Sequence, residues 1–391
     1  MPVLCEERLC TGCGACENKC PFHAITMVEN AEGFLTPSVN QERCKECGLC
    51  EKACPILKDP AFPKLSEPGV YACWSHDREI RELSSSGGVF SLIAREVLKE
   101  GGVVFGAAFD EDFGVHHTYI ESYEDIDSLR RSKYVQSRTG DSYKAAEGFL
   151  KAGRKVLYVG TPCQVAGLIG YLGKPYELLT TCNFVCYGVP SPKVWRNYLS
   201  YRTANKKLKA LSFRDKKNSG WKQYTLRMDY EDGTSYVKKA NDDAYFIGFG
   251  RSLFSRLCCF DCRFRYSNTK ADITLADFWG IEKLQGIEIK EDQGVSLVLT
   301  NTPQGEAWIQ RISERMFIQK RTFEEAASSN PKLVSSAKQP SNRAKFFKDL
   351  NDQVDFDRLV KRYMSNTGLK SEIKMLIKGI LGEETLKKLM G

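Results

Sequence analysis

The stretches "CTGCGACENKCP" (residues 10–21) and "CKECGLCEKACP" (residues 44–55) share one spacing of cysteines, C-x2-C-x2-C-x3-C, followed by a proline. Three thiols this close together lie on one tight loop. The small residues Gly12, Gly14 and Gly48 let the backbone N–H groups of that loop approach sulfur. The spacing therefore predicts a small domain built around two 4Fe-4S clusters.

Bacterial two-cluster ferredoxins have this spacing, and in them the fourth cysteine of each run binds the other cluster. The predicted ligands are Cys10, Cys13, Cys16 and Cys54 for one cluster (the first quartet), and Cys20, Cys44, Cys47 and Cys50 for the other (the second quartet). Zinc also uses paired C-x2-C motifs, but two complete quartets that end in Cys-Pro favour iron and sulfide. Cys5 lies outside the pattern and is interpreted as a structural or incidental thiol.

Length and composition place this small domain in a larger protein. The 391 residues predict two or three domains with a sizeable core. No apolar run reaches the ~18 residues that a membrane span needs, and the N-terminus lacks the apolar core of a signal peptide. We therefore expect a cytoplasmic protein without a transmembrane segment, in which the spacing of the 16 cysteines indicates metal binding rather than disulfides.

The net charge of +8 has two interpretations. It could favour an acidic partner or a phosphate-bearing ligand, or it could be an ordinary solvated surface, which is the more common case. We expect no nucleic-acid partner, and the sequence does not set the oligomeric state.

The chain divides into four predicted segments. Residues 1–58 form the ferredoxin-type domain, and the proline-rich residues 59–69 form a linker. Residues 70–335 alternate between strand and helix patterns, and residues 336–391 form a helical C-terminal extension. Within that extension, residues 371–391 could be an amphipathic helix for a partner or membrane surface, or a solvated surface helix. The predicted fold class is α+β: a small ferredoxin-like domain, a mixed α/β core and a helical tail.

Within the core, the residue patterns predict individual elements. The predicted strands are 69–75, 103–110, 114–122, 155–160, 176–188, 208–215, 224–230, 234–240 and 271–280. The predicted helices are 84–102, 141–153, 161–173 and 191–204.

A nucleotide site is harder to find, because the chain has no G-x-G-x-x-G after a strand and no P-loop. "SSSGG" (residues 84–88) opens a helix whose N-terminus would favour a phosphate, although on this stretch alone a plain N-cap with a flexible loop is the favoured interpretation. "RRSKYVQS" (residues 130–137) combines cations with hydroxyl and amide groups, as phosphate or carboxylate recognition requires.

Four late cysteines follow predicted strands or form a motif. Cys163 lies in the strand-to-helix turn of "VGTPCQVAG" (residues 159–167), where Thr161 can cap the helix and the thiol should ionise easily. Cys186 ends another strand, and "LCCFDCRF" (residues 257–264) contains a C-x-x-C pair. These thiols could form a third 4Fe-4S site, a zinc site, a redox dithiol or scattered core positions. Cys73, Cys182 and Cys258 are interpreted as structural.

An ordered set of motifs resembles the coenzyme F420 hydrogenase/dehydrogenase beta subunit family over about residues 70–335. The motifs are "SSSGGVFS", "RSKYVQS", "GTPCQVAGL", "VCYGVPSPKVW", "LCCFDCRF" and "DITLADFWG". The resemblance implies a flavoprotein core that carries FAD and one further 4Fe-4S cluster. The cluster ligands that it implies are Cys163, Cys186, Cys259 and Cys262, with Cys258 as a rival to Cys259. The expected FAD-binding residues are Ser85, Ser86, Gly87, Gly88, Ser132, Lys133, Tyr134, Gln136, Ser137, Thr161 and Gln164.

The function implied by the resemblance is that of an oxidoreductase dependent on FAD and iron–sulfur clusters. A flavin exchanges electrons singly with clusters and in pairs with hydride-transferring substrates, so it belongs at their junction. The substrate could be coenzyme F420 or another reducible organic compound, with a redox partner protein or a ferredoxin-linked enzyme as the second partner. The alternative is a non-catalytic electron-transfer subunit that docks on a larger oxidoreductase. No catalytic residue is assigned.

Overall fold

The structure is a computed structural model that describes residues 2–204, 206–217, 219–289, 292–351 and 355–364. The strands are β1 (Ile25–Glu29), β2 (Leu35–Val39), β3 (Gly69–Ser75), β4 (Val103–Phe109), β5 (Val115–Ile120), β6 (Val156–Gly160), β7 (Leu179–Phe184), β8 (Leu208–Asp215), β9 (Thr225–Tyr230), β10 (Ser235–Lys239), β11 (Ile273–Asp277), β12 (Ser296–Thr300) and β13 (Met316–Lys320). The α-helices are α1 (Ala15–Lys19), α2 (Leu49–Ala53), α3 (Arg78–Leu83), α4 (Val89–Lys99), α5 (Ile126–Leu129), α6 (Ser142–Lys151), α7 (Pro162–Leu172), α8 (Pro192–Thr203), α9 (Ala244–Gly250), α10 (Pro303–Arg311), α11 (Phe323–Ser329) and α12 (Arg343–Asp349).

Residues 2–58, the ferredoxin module, are built from two similar halves. Each half contributes one short helix, and each helix begins after a glycine in the left-handed conformation, Gly14 at φ 73° and Gly48 at φ 68°. Between the helices, β1 and β2 form an antiparallel hairpin. The positive φ explains why both halves have glycine at this position.

An eight-stranded mixed sheet forms the centre of the core, in the order β13-β3-β12-β11-β7-β6-β4-β5. The neighbours β4, β6, β7 and β11 run parallel, and the outer pairs are antiparallel. Parallel strands are joined by crossovers, and α7 is the crossover between β6 and β7. The carboxyl ends of β6 and β7 therefore lie at one edge of the sheet, which is where ligands bind in open α/β sheets.

A second sheet, β10-β9-β8, packs beside the first with its own apolar core. Trp195 and Tyr198 of α8 lie in this core together with Phe213 of β8. Phe346 of α12 and Phe356 of a helical segment over 356–364 fill the same core. The C-terminal extension thus packs on the core as far as residue 364, and the helix predicted over 371–391 lies outside the described residues.

The predicted fold class is confirmed, because a ferredoxin-like domain precedes a mixed α/β core. Each strand and helix predicted within residues 69–280 contains an observed one of the same type. β12 and β13 were not predicted, and they pair with β3 on either side and extend the sheet. The segment predicted as a linker has no regular structure before Gly69, but it is tied to the core, where the Leu65 N–H donates to the Asn301 carbonyl at 2.7 Å.

None of the helices in the described ranges combines the length and the apolar character that a membrane crossing would need.

Candidate iron–sulfur sites

The first quartet lies between the ferredoxin module and the core. Cys10, Cys13 and Cys54 are buried, and Cys16 is half-buried. Burial raises the pKa of the Cys16 thiol, and the other three thiols of the quartet are close enough to raise it further. The structure therefore brings together the four cysteines that were predicted to share a cluster. These include Cys54, which comes from the second half of the ferredoxin module.

The second quartet lies at the outer end of the module. Its four cysteines line an open cavity together with Phe22 and Pro2. Cys47 is exposed, whereas Cys20 and Cys50 are buried. Phe22 is 42% exposed, so this end of the module presents apolar surface and a thiol to solvent.

The late cysteines converge on one place, which we call the core cysteine site. Cys163 is in the first turn of α7, directly after β6, and Cys186 follows β7. The parallel pairing of β6 with β7 brings these two positions to the same sheet edge. Cys259 and Cys262 come from a turn of 3-10 helix at Leu257–Asp261 and from the residue that follows it.

Backbone pairing positions that late turn. Pro190 and Ser255 form an antiparallel bridge, and the Arg256 N–H donates to the Val189 carbonyl at 3.0 Å. This bridge places Cys259 beside Gly188, where an added Cβ would lie 3.4 Å from the Cβ of Cys259. The C-x-x-C pair is thereby held against the segment that carries Cys186.

An open cavity lies at the core cysteine site. Its lining contains Cys163, Cys186, Cys258, Cys259 and Cys262, together with the aromatic side chains of Phe184, Tyr187 and Tyr266. No three His, Cys, Asp or Glu side chains of the described residues are close enough to ligate one metal ion. The thiols instead line the wall of the cavity. Four cysteine thiolates are the ligands that a 4Fe-4S cluster requires.

The protonation of Cys163 differs from the prediction. Its position at the start of α7 predicted a thiol that ionises easily, but burial raises its pKa, and neighbouring thiols raise it further. The Thr161 hydroxyl lies 3.2 Å from the Cys163 sulfur and opposes this effect only in part. The prediction of easy ionisation is wrong for the thiol itself, because desolvation outweighs the helix end.

The core cysteine site and the first quartet are neighbours across α7. The pKa of Cys163 is influenced by Cys13 as well as by Cys259 and Cys262. At Gly167 of α7, an added Cβ would lie 2.9 Å from the sulfur of Cys13, and at Gly170 it would lie 2.5 Å from the carbonyl oxygen of Ala53. Glycine at these two positions lets the ferredoxin module approach the backbone of α7.

A loop of the core also binds the module. The side chain of Gln136 donates to the carbonyl of Thr11 at 3.2 Å, and the Thr139 hydroxyl donates to the carbonyl of Cys13 at 3.0 Å. From the other side, the Asn18 amide donates to the carbonyl of Gly140 at 2.7 Å. Gln136 was predicted to bind FAD, and the structure places its side chain at this interface.

The other expected FAD-binding residues fall into two hydrogen-bonded groups. In one, the Ser85 hydroxyl accepts from the N–H of Ser132 at 2.9 Å, and the Gly87 N–H donates to the hydroxyl of Ser296 at 2.9 Å. In the other, the Gln164 side chain accepts from the Thr161 N–H at 3.0 Å and donates to the Ser137 carbonyl at 3.1 Å. Several expected donors are therefore engaged within the protein.

Cations surround the first of these groups. Lys216 donates to the carbonyls of Arg81 and Gln293, and Lys133 donates to the carbonyl of Arg130. Burial lowers the pKa of both lysines to about 7, with nearby arginines as a second cause. Ser86 donates to the carbonyl of Val295 in the same region. Tyr134 lies beside Phe246 and Phe249 in the adjoining aromatic core.

Gly87 and Gly88 have different structural roles. An added Cβ at Gly87 would lie 2.3 Å from the carbonyl oxygen of Cys73, so this glycine allows close packing against β3. Gly88 has φ 94° and forms the N-cap of α4. A bulky side chain at Gly87 would disturb the sheet directly, whatever ligand is bound.

Two contacts were missed by the sequence analysis. Cys5 is hydrogen-bonded to Cys10 and Cys54, and this contact raises the pKa of Cys5 while it lowers that of Cys10 to about 6. The Arg256 side chain bonds the module from the core, and its charge also lowers the pKa of Cys10. The position of Arg256 immediately before "LCCFDC" was the only sequence signal.

Sequence profiles of known families match three parts of the chain. Residues 70–142 match the coenzyme F420 hydrogenase/dehydrogenase beta subunit N-terminal region, and residues 153–326 match the C terminus of the same subunit. Residues 9–56 match the 4Fe-4S dicluster domain. No curated protein matches the chain.

Among solved structures, the chain is similar to a chain of the xenon-derivatised F420-reducing nickel–iron hydrogenase complex from Methanosarcina barkeri. The identity is 17% and the TM-score 0.47, over 80% of this chain and 94% of that one.

Proposed function

We propose that this chain, which belongs to the coenzyme F420 hydrogenase/dehydrogenase beta subunit family, transfers electrons between two clusters in its ferredoxin module and an organic substrate at its core. One observation carries the proposal. Thiols from three separate parts of the core line a single cavity beside the first quartet. A core that only has to fold does not need so many thiols in one open cavity. An iron–sulfur cluster on an electron path does need them, because cysteine thiolates are its ligands.

The proposed ligands of the core cluster are Cys163, Cys186, Cys259 and Cys262. The pKa of Cys186 is raised by burial and by Cys259, Cys163 and Cys262, which supports this grouping. Cys258 lies in the same cavity and is hydrogen-bonded to Cys259. We assign Cys259 as the ligand because it forms the C-x-x-C pair with Cys262.

The proposed FAD site is at the N-terminus of α4, where Ser85, Ser86, Gly87 and Gly88 precede the helix. The positive end of an 11-residue helix and the nearby charges of Arg131 and Lys216 fit a pyrophosphate. A flavin bound there would supply the exchange between one-electron and two-electron transfer. The flavin would be bordered by Ser132, Lys133 and Tyr134. The turn that carries Cys163 would be oriented by Thr161 and Gln164.

The proposed substrate is coenzyme F420 or another organic compound that exchanges a hydride, and the proposed location is the cytoplasm. A redox partner protein would exchange electrons with the second quartet, because Cys47 is exposed there.

Metal and flavin analysis of the anaerobically purified chain tests the proposal. We expect about twelve irons and twelve acid-labile sulfides, four per cluster, with one bound FAD. The double variant Cys259→Ser with Cys262→Ser should lose about four irons, one cluster's content. The matched control Cys258→Ser, one residue away, should retain all of them. An unchanged iron content in the double variant would refute the core cluster.

Turnover separates the enzyme from its alternative, a non-catalytic electron-transfer subunit. The isolated chain should reduce or oxidise an F420-type or nicotinamide-type substrate with a viologen dye as the second electron carrier. A chain that carries its clusters but neither FAD nor any such activity would be the electron-transfer subunit.

A further inference from the structure

Arg256 is a buried cation between two groups of thiols. Only 3% of its surface is exposed. Its guanidinium donates to the carbonyl of Cys10 at 2.6 Å, to the carbonyl of Leu35 at 2.8 Å and to the side-chain oxygen of Gln136 at 3.1 Å. Arg256 thus reaches from the core, three residues before Cys259, to the loop of the first quartet.

Three of the hydrogen-bond partners of Arg256 are neutral oxygens, and the fourth is the sulfur of Cys10. None of the described residues places a carboxylate in ion-pair contact with its guanidinium. Buried charges in proteins are nearly always paired with an opposite charge, because desolvation is costly. The anionic groups available here are the thiolates of the first quartet on one side and of the core cysteine site on the other.

The position of Arg256 is fixed by the chain around it. Its N–H donates to the carbonyl of Val189, and the preceding Ser255 forms a bridge with Pro190. The face of its guanidinium lies over Phe34, 5.4 Å from the ring centroid. At Gly12, an added Cβ would lie 2.7 Å from its terminal nitrogen. The charge is therefore held in place before any electron arrives.

We propose that Arg256 raises the reduction potential of the cluster in the first quartet. A cluster with four thiolate ligands is negatively charged, and reduction adds one more negative charge. Burial disfavours that added charge, and three of the four thiols of the first quartet are buried, whereas the second quartet reaches solvent at Cys47. A fixed positive charge at the buried cluster offsets this penalty and makes electrons move inward from the exposed cluster towards the core. Arg256 is a positioning residue in this role, because it acts through the cluster.

Arg343 provides a matched control. It is also buried, at 2% exposure, and it also joins the core to the module. Its guanidinium donates to both carboxylate oxygens of Glu32 and to the carbonyl of Ser255. Its charge is thus neutralised by a carboxylate, whereas that of Arg256 is not. A purely structural contribution to docking is expected of both residues, but an effect on the potential of the first-quartet cluster is expected only of Arg256.

The test is a redox titration of the full chain, followed by electron paramagnetic resonance, in the parent and in Arg256→Gln, Arg256→Lys and Arg343→Gln. In Arg256→Gln, reduction of the first-quartet cluster should become at least tenfold less favourable, which is about 59 mV for one electron. The second-quartet cluster in the same molecule should keep its potential and serves as the internal reference. Arg256→Lys, which retains the charge, should stay close to the parent, and so should Arg343→Gln.

An unchanged potential in Arg256→Gln, or an equal shift in Arg343→Gln, would overturn the inference. If Arg256→Gln fails to retain the cluster, Arg256→Lys decides: a parent-like potential supports the role of the charge, and a lowered potential overturns it. The inference rests on the proposed cluster in the first quartet. Iron analysis of the parent tests that cluster separately, and the absence of FAD or turnover would leave the Arg256 result valid.

Discussion

The two halves of the ferredoxin module have the same cysteine spacing and the same local structure, but opposite surroundings. Gly14 and Gly48 occupy equivalent N-cap positions with nearly equal φ angles, 73° and 68°. An added Cβ at Gly14 would lie 2.4 Å from the Thr139 hydroxyl oxygen, whereas at Gly48 it would meet nothing within 4 Å. The repeated sequence thus gives two ligand loops of the same conformation, and the core packs against only one of them.

The position two residues before each of these glycines shows the same contrast. Gly12 has φ 68° and lies against Arg256, and the equivalent residue in the second half is Glu46, with φ 51°. The turn therefore tolerates a side chain where it faces solvent. In the first half, contact with the core excludes one.

The largest expected effect tests whether the two halves exchange their fourth ligands. Cys20→Ser should lose the cluster of the second quartet, about four irons, although the other three ligands belong to the other half. The combination Cys54→Ser with Cys5→Ala should lose the cluster of the first quartet. Cys5 is included because it contacts Cys10 and Cys54 and could replace a missing ligand. Metal analysis and electron paramagnetic resonance identify the lost cluster, and loss of the opposite one would contradict the assigned crossing.

A smaller effect is expected from His117, which contacts the loop that binds the first half of the ferredoxin module. His117 donates from Nε2 to the Val159 carbonyl at 3.1 Å, and its Nδ1 lies 2.7 Å from the Ser137 hydroxyl. Burial lowers its pKa from 6.5 to about 4. Protonation of His117 therefore favours the unfolded state. The contribution of neutral His117 to the free energy of unfolding is complete above pH 6.5 and is lost as the pH falls towards 4.

The full loss is about 3 kcal/mol of unfolding free energy, from a pKa difference between 6.5 and about 4. Denaturant unfolding at pH 7, 6 and 5 should show a steeper decline in the parent than in His117→Gln, which does not titrate. Acid damage to the clusters is common to both proteins and cancels in the comparison. Parallel pH profiles would show that His117 does not contribute.

The smallest expected effect is the difference between two alanine substitutions. Gly48→Ala should destabilise the protein by about 1–2 kcal/mol, the cost of a side chain in a left-handed conformation. Gly14→Ala carries the same backbone cost plus the collision with Thr139, so its loss should be larger by about 1 kcal/mol. Thermal unfolding of both variants measures the difference. Equal losses would mean that the core yields to the added methyl group at no cost.

The ligand sets of the ferredoxin module could be predicted from spacing because their geometry is local. Two runs of eleven residues contain all eight cysteines, and loop length leaves few ways to arrange them. The core elements were equally accessible, since strands such as β3 and helices such as α7 have clear hydrophobic periodicity and end signals. Thr161, predicted as the cap of α7, does cap it.

The sequence did not show which side chains the tertiary structure would engage. Ser85, Gly87 and Gln136 have polar groups that suit a cofactor, but the fold engages those groups with Ser132, Ser296 and Thr11. Cys163 begins a helix, yet burial determines its pKa. Both outcomes depend on neighbours far away in the chain, whose positions no local pattern contains.

The sequence by itself determined two cysteine quartets, an alternating α/β core and the family to which that core belongs. Only the tertiary structure joined Cys163, Cys186, Cys259 and Cys262 in one cavity, buried the first quartet more fully than the second, and placed Arg256 between the first quartet and the core cysteine site. The physical reason is the range of the interactions. Loop geometry and helix capping act over a few residues, whereas desolvation and charge depend on everything that the fold brings near.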